Sequence, residues 1–152
     1  MTLEERLVME NQLLKQEGFS QFQIYVGQIP GIYFLWGEHK TNAGNLYRIR
    51  GPISNDYPYS KPSIYVESPN PLRGFGYNKT INSYGVSHNM HTFSNGPDGE
   101  VQICHWNSDR WHSGITLNRV MLKVVLWLEA YEQHLATGKN ICDFVLTMNS
   151  QT

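Results

Sequence analysis

A thiol, an imidazole and an indole follow one another at Cys104-His105-Trp106, and Asn107, Ser108, Asp109, Arg110 and Trp111 complete the run. Of these groups the thiolate is the best nucleophile near neutral pH, and a cysteine splits one difficult acyl transfer into two easier steps. Cys104 ends a short apolar stretch, Val101-Gln102-Ile103, that follows a loop rich in Gly, Asn, Ser and Pro. Its polar flanks His105 and Asn107, with Arg110 nearby in sequence, predict an accessible thiol whose thiolate is favoured. Cys142 lies among Ile141, Phe144 and Val145 and reads as a buried apolar side chain.

Two other chemistries use the same residues. His88, His91, Cys104, His105 and His112 carry the donors zinc prefers, but structural zinc sites show paired ligands at C-x2-C or H-x3-5-H spacing. Here the pairs are only His88 with His91 and the adjacent Cys104-His105. A cysteine hydrolase would pair Cys104 with His88, His91 or His112 as general base, yet the cysteine does not open a helix as it does in papain-like enzymes. Trp106 and Trp111 read as anchors at the edge of a core rather than a substrate platform.

The elements that must hold these groups are legible from periodicity. Leu3, Leu7, Val8, Leu13 and Leu14 mark an N-terminal helix that Gly18 stops. Phe22, Ile24 and Val26 alternate with polar residues as in a half-buried strand, and Gln28-Ile29-Pro30-Gly31 supplies a turn. Further strands are expected over 32–36, 46–50 and 62–67, with 38–45 as a polar hairpin tip. Residues 68–99 lack a periodic pattern and make a far longer connection than usual, the kind that carries function. Thr116 is placed to cap a long helix with apolar Leu117, Val120, Met121, Val124, Trp127, Leu128, Tyr131 and Leu135, ending at Gly138. Residues 141–146 read as a short strand or a helix turn. The expectation is an α+β fold in one domain over 1–152: a helix, a four-stranded antiparallel meander, a long loop carrying the site, and a long C-terminal helix against the sheet.

Composition narrows the class. A net charge of −1 with scattered Lys and Arg gives no footprint for nucleic acid or an anionic membrane surface, so a protein or peptide partner is expected. Two cysteines without a CxxC companion fit a reducing compartment, with cytoplasm the default. The acidic N-terminus lacks the apolar core of a signal peptide, and no apolar run is long enough to span a membrane.

Several motifs carry a resemblance. Tyr57-Pro58-Tyr59-Ser60-Lys61-Pro62 leads into Ile64-Tyr65-Val66; Ile103-Cys104 is followed by Trp111 and then Thr116 at a helix start. These resemble the Tyr-Pro-x-x-Pro-Pro, Gly-x-Ile-Cys, Trp-Ser-Pro and Thr-Ile landmarks of the ubiquitin-conjugating enzymes. Trp127-Leu128, Tyr131-Glu132 and Thr137-Gly138 resemble the helix end of bacterial conjugating-enzyme domains in CBASS antiphage operons. Together the landmarks cover roughly 22–138. The pattern departs from the family at its His-Pro-Asn motif: Gly96 stands where the family Asn would be, and His105 replaces the usual leucine.

The resemblance implies a transferase in which Cys104 takes a protein C-terminus as a thioester and passes it to an amine. It implies no metal or organic cofactor. In that role Asn89, His91, Asn107 and backbone N–H groups are candidates to stabilise the oxyanion, and Asp109 to orient the incoming amine and take its proton. The implied partners are a ubiquitin-like protein or the C-terminus of a cGAS-like nucleotidyltransferase, with a separate activating enzyme. The other readings are an inactive variant that only binds, with Cys104 incidental, and the cysteine hydrolase.

Overall fold

A computed structural model describes residues 1–86 and 89–149, the last four by their backbone alone. The first helix, α1 (Leu3–Gln16), begins at Thr2, whose hydroxyl accepts from the Glu5 N–H at 3.1 Å while the Glu5 carboxylate accepts from the Thr2 N–H at 3.3 Å. This reciprocal box satisfies two donors that a helix start leaves open. The helix ends at Glu17, and Gly18 takes the left-handed conformation at φ 87° that stops a helix without a Cβ penalty. Leu7, Glu10 and Leu14 form its buried face, so one acid is buried along with two leucines.

The chain then runs β1 (Phe22–Val26), β2 (Tyr33–Lys40), β3 (Leu46–Ile53) and β4 (Ile64–Ser68), an antiparallel meander. Phe22, Leu35, Tyr47, Ile49, Ile53, Ile64 and Val66 supply its buried face, the period-two pattern of a sheet covered on one side. Val26 escapes this alternation: at the end of an edge strand it is 66% exposed. Gly37 has to be glycine, because a Cβ there would stand 2.1 Å from the Gln21 carbonyl oxygen.

The sheet is larger than the expected four strands. It has six, in the order β1-β2-β3-β4-β6-β5, with β5 (Thr92–Phe93) and β6 (Val101–Ile103) folding back from the connection after β4. Ile64 pairs with Ile103 and Thr92 with Ile103 on its other side, so the short apolar run before the cysteine is an internal strand. Two or three residues are too few for periodicity to register, and it is pairing on both sides that makes β6 a strand.

The connection 68–99 is tied down. Its Leu72, Ile81 and Met90 are buried, and a 3-10 turn spans Ile81–Tyr84. Trp127 Nε1 donates to the Met90 carbonyl at 3.0 Å, Tyr131 Oη to the Arg73 carbonyl at 2.6 Å, and Asn82 Nδ2 to the Gly99 carbonyl at 2.6 Å. The first two of these bonds fasten the loop to the long helix α2 (Leu117–Thr137), and the third closes it on itself.

Helix α2 crosses the buried side of the sheet, where Tyr131 meets Tyr47 edge to face at 6.0 Å and Glu132 accepts from Tyr47 Oη at 2.9 Å. It ends as expected, with Gly138 left-handed and its N–H on the His134 carbonyl at 2.8 Å. Its start differs from the sequence expectation. Thr116 occupies the cap position, but its hydroxyl donates to Asn118 Oδ1 and makes no cap bond. The Leu117 N–H donates instead to both carboxylate oxygens of Glu10, at 3.1 and 3.3 Å. Residues 141–146 belong to a helix, α3 (Ile141–Asn149), rather than a strand. Apolar residues from α1, the sheet, the loop, α2 and α3 form one buried cluster, and among the described residues no helix is long and apolar enough to cross a membrane.

Candidate active site

Cys104 is the first residue after β6, and its N–H donates to the His91 carbonyl at 2.8 Å, prolonging the pairing of β6 with β5 by one more bond. Cys104 thus stands at the end of an internal strand, its backbone fixed and its side chain half-buried. His91 reaches it through the main chain. That residue is buried with φ 52°, and its carbonyl holds the Cys104 backbone in place.

The groups whose charge acts on the thiol are Lys61 and Lys123. Lys61, on the segment before β4, donates to the Trp106 carbonyl at 2.9 Å and to Ser108 Oγ at 3.2 Å, and its ammonium lies 3.9 Å from the centre of the Phe93 ring. Lys123, on α2, stands 3.8 Å above the Trp106 ring, which Arg119 also faces at 5.3 Å. Burial raises the Cys104 thiol above its ordinary 9.0, and the two ammonium groups pull it back in part. The same burial lowers both lysines. This corrects the sequence expectation of a thiolate favoured by Arg110: desolvation outweighs the nearby charges.

Iodoacetamide should modify Cys104 ahead of Cys142, which is 5% exposed, and the Cys104 rate should keep climbing from pH 7 to beyond 9, as a raised thiol requires. Removing Lys61 and Lys123 together, as methionines, should slow labelling at pH 8 by about tenfold, because losing an opposite charge raises the thiol further. Site-resolved mass spectrometry reads both effects, and a plateau below pH 8 contradicts the role given to burial.

No protein-family model matches the chain, and no curated protein matches it. The reading of the site therefore stands on its own geometry. Asn107, three residues after Cys104, caps the 3-10 turn Ser108–Arg110 through Oδ1, which accepts from the Asp109 N–H at 2.9 Å and leaves Nδ2 to donate. Asp109 is exposed on that turn. Asn89 is exposed, and its carbonyl takes the Cys142 N–H at 2.7 Å, which turns this stretch of backbone to α3.

Of the remaining histidines, His112 Nδ1 accepts from the Gly114 N–H at 3.1 Å, and His88 lies outside the described residues. Among the described residues no three His, Cys, Asp or Glu side chains converge in a way that could hold a metal ion. Trp111 is an anchor, with Nε1 donating to the Pro58 carbonyl at 3.0 Å; Trp106 packs edge-on against it at 6.3 Å.

His105 has a structural task that its position beside Cys104 hides. It is 4% exposed, and its Nε2–H donates to the Pro62 carbonyl at 2.7 Å, pinning the segment that carries Lys61 to the cysteine's own loop. Burial pushes its pKa from 6.5 down to about 4, with Lys61 and Lys123 adding to the effect against the Pro62 bond. The unfolded chain therefore binds this proton more readily than the folded one, and stability should fall as pH drops through 6.5 and go on falling to about 4. The expected loss is about 3 kcal/mol, since a tenfold change in proton affinity is worth about 1.4 kcal/mol. Denaturant titrations of wild type and His105→Asn should show that slope diminished in the variant.

Sequence reasoning missed Lys61 and Lys123. Lys123 had a signal: it is the one charged residue in the apolar run from Val120 to Leu128. Lys61 had none, being brought to the site by the β4–β6 pairing and the His105 bond.

Proposed function

We propose that this chain is a ubiquitin-conjugating-enzyme-like thioester carrier. The observation that carries the reading is a half-buried cysteine at a strand end, within the field of two partly desolvated ammonium groups. Cys104 loses its proton and attacks the activated carboxyl carbon of a protein C-terminus; the tetrahedral oxyanion collapses, the leaving group departs, and a thioester remains. An amine then attacks that carbon, the Cys104 thiolate leaves, and the amine proton is lost. Lys61, Lys123 and Asn107 are the donors available for the oxyanion, which preorganised charge stabilises most in a partly dry site. They take the part that no asparagine fills at the family's usual spacing.

The order of elements supports the family reading: helix, meander, long connection, cysteine, 3-10 turn, long helix. The helix-end pattern also has a physical basis, since Trp127 and Tyr131 stack at 5.6 Å and Glu132 receives Tyr47. The partner is then a ubiquitin-like protein or the C-terminus of a cGAS-like nucleotidyltransferase in a cytoplasmic antiphage system, activated by a separate enzyme. One observation favours a second reading. A thiol raised by burial also suits a binding module in which Cys104 is incidental. Formation of a reductant-cleavable acyl adduct on Cys104 decides between the two.

A further inference from the structure

The charges around Cys104 are lopsided. From Cys104 to Leu128 the sequence holds one carboxylate, Asp109, against Arg110, Arg119 and Lys123, and the fold adds Lys61. The arginines of α1 and β3 are matched: Arg6 pairs with Glu10, Arg48 with Glu67, and Arg50 with Glu67 and Glu100, while Lys15, Lys40, Arg73, Lys79 and Lys139 stand apart from the rim without an ion pair among the described residues. Among the described residues none of Lys61, Arg110, Arg119 and Lys123 has an ion pair. Arg119 and Arg110 both act on Lys123, and Arg119 and Lys123 share the face of the Trp106 ring. Like charges this close repel one another, so the rim costs stability until an anion sits in it.

Resting on the carrier reading above, we propose that this rim receives an acidic segment of the incoming protein, lying just before the C-terminal carboxyl that Cys104 accepts. The lysines whose charge acts on the sulfur are half-buried, while Arg110 and Arg119, which act on Lys123, are more exposed, so the solvent-facing part of the rim is positive. Guanidinium forks bind carboxylates in two-point fashion. The chain as a whole carries −1, so the patch is a local excess and an acidic partner is repelled elsewhere, which favours approach at this rim.

The test uses the full chain and three synthetic peptide benzyl thioesters ending in Gly-Gly, preceded by Glu, Gln or Lys triplets. In each transfer the peptide's acyl–sulfur bond breaks, a new one forms to Cys104, and benzyl thiol departs with the proton that Cys104 gave up. Intact-mass kinetics should show the Glu peptide acylating Cys104 about tenfold faster than the Gln peptide at low ionic strength. That ratio should fall toward one in about 1 M salt, where screening is nearly complete. It should also fall toward one in Arg110→Gln/Arg119→Gln, and the charge-reversed Arg110→Glu/Arg119→Glu should favour the Lys peptide.

Equal rates for the three peptides overturn the proposal and leave the carrier reading standing, as does a Glu preference that survives both double variants. Equal peptide rates together with Arg119-dependent binding of a single-stranded oligonucleotide reassign the rim to nucleic acid. If no peptide acylates Cys104, the carrier reading falls and takes the proposal with it.

Discussion

Cys104→Ala will abolish the adduct that the wild-type chain forms with an activated protein C-terminus. The wild-type adduct should be cleaved by thiol reductant, because a thioester exchanges with free thiol. Cys104→Ser should give a slower product that resists reductant, since an oxygen ester has a poorer leaving group and the hydroxyl is harder to ionise than the thiol. Formation should quicken with rising pH in the wild type, following the upward displacement of the thiol by burial. The backbone bond to the His91 carbonyl does not involve the side chain, so neither substitution should move the melting temperature by more than a few degrees. Intact mass with and without reductant makes the measurement. An adduct on the alanine variant, or none on wild type with thioester-activated peptides or an activated partner, removes the carrier reading and leaves the binding module.

The second large effect is on stability. Glu10 is fully buried, and its carboxylate accepts from the Leu117 N–H, from Tyr57 Oη and from Arg6 Nε at 3.3 Å. Arg6 in turn donates to the carbonyls of Ser113 and Ile115, at 2.8 and 2.9 Å. A carboxylate at a helix N-terminus satisfies an open donor and opposes the positive end of the helix dipole. Glu10→Ala would leave a partly buried guanidinium, a phenol and a helix-start N–H without that partner, which costs about 3–5 kcal/mol. For a chain of this size that is a fall of roughly 10 °C in melting temperature.

Glu10→Gln keeps an acceptor and the shape but loses the charge, so its cost should be about half. Tyr57→Phe, which deletes one hydrogen bond, should cost about 1 kcal/mol. Chemical denaturation of the three variants gives the order, and a Glu10→Ala loss under about 1 kcal/mol, the worth of a single ordinary hydrogen bond, contradicts the capping role.

The local signals proved sound where the chain's own periodicity decides the outcome. Leu7 and Leu14 placed α1, Gly18 and Gly138 ended helices through a conformation other residues avoid, and the stripe from Leu117 to Tyr131 placed α2. The position of Cys104, after an apolar run and before a helix, was also legible, as was the burial of Cys142. What tertiary structure alone decided is everything that depends on distant residues meeting. Strands β5 and β6 exist through pairing, since Ile103 is a strand residue only because Ile64 and Thr92 flank it. The α2 cap came from Glu10, 107 residues away, rather than from Thr116 beside it. The sign of the Cys104 shift was set by burial, and the charges opposing it came from Lys61 and Lys123 rather than the neighbouring Arg110. Desolvation and long-range charge depend on how the whole chain packs, and no spacing in the sequence encodes them.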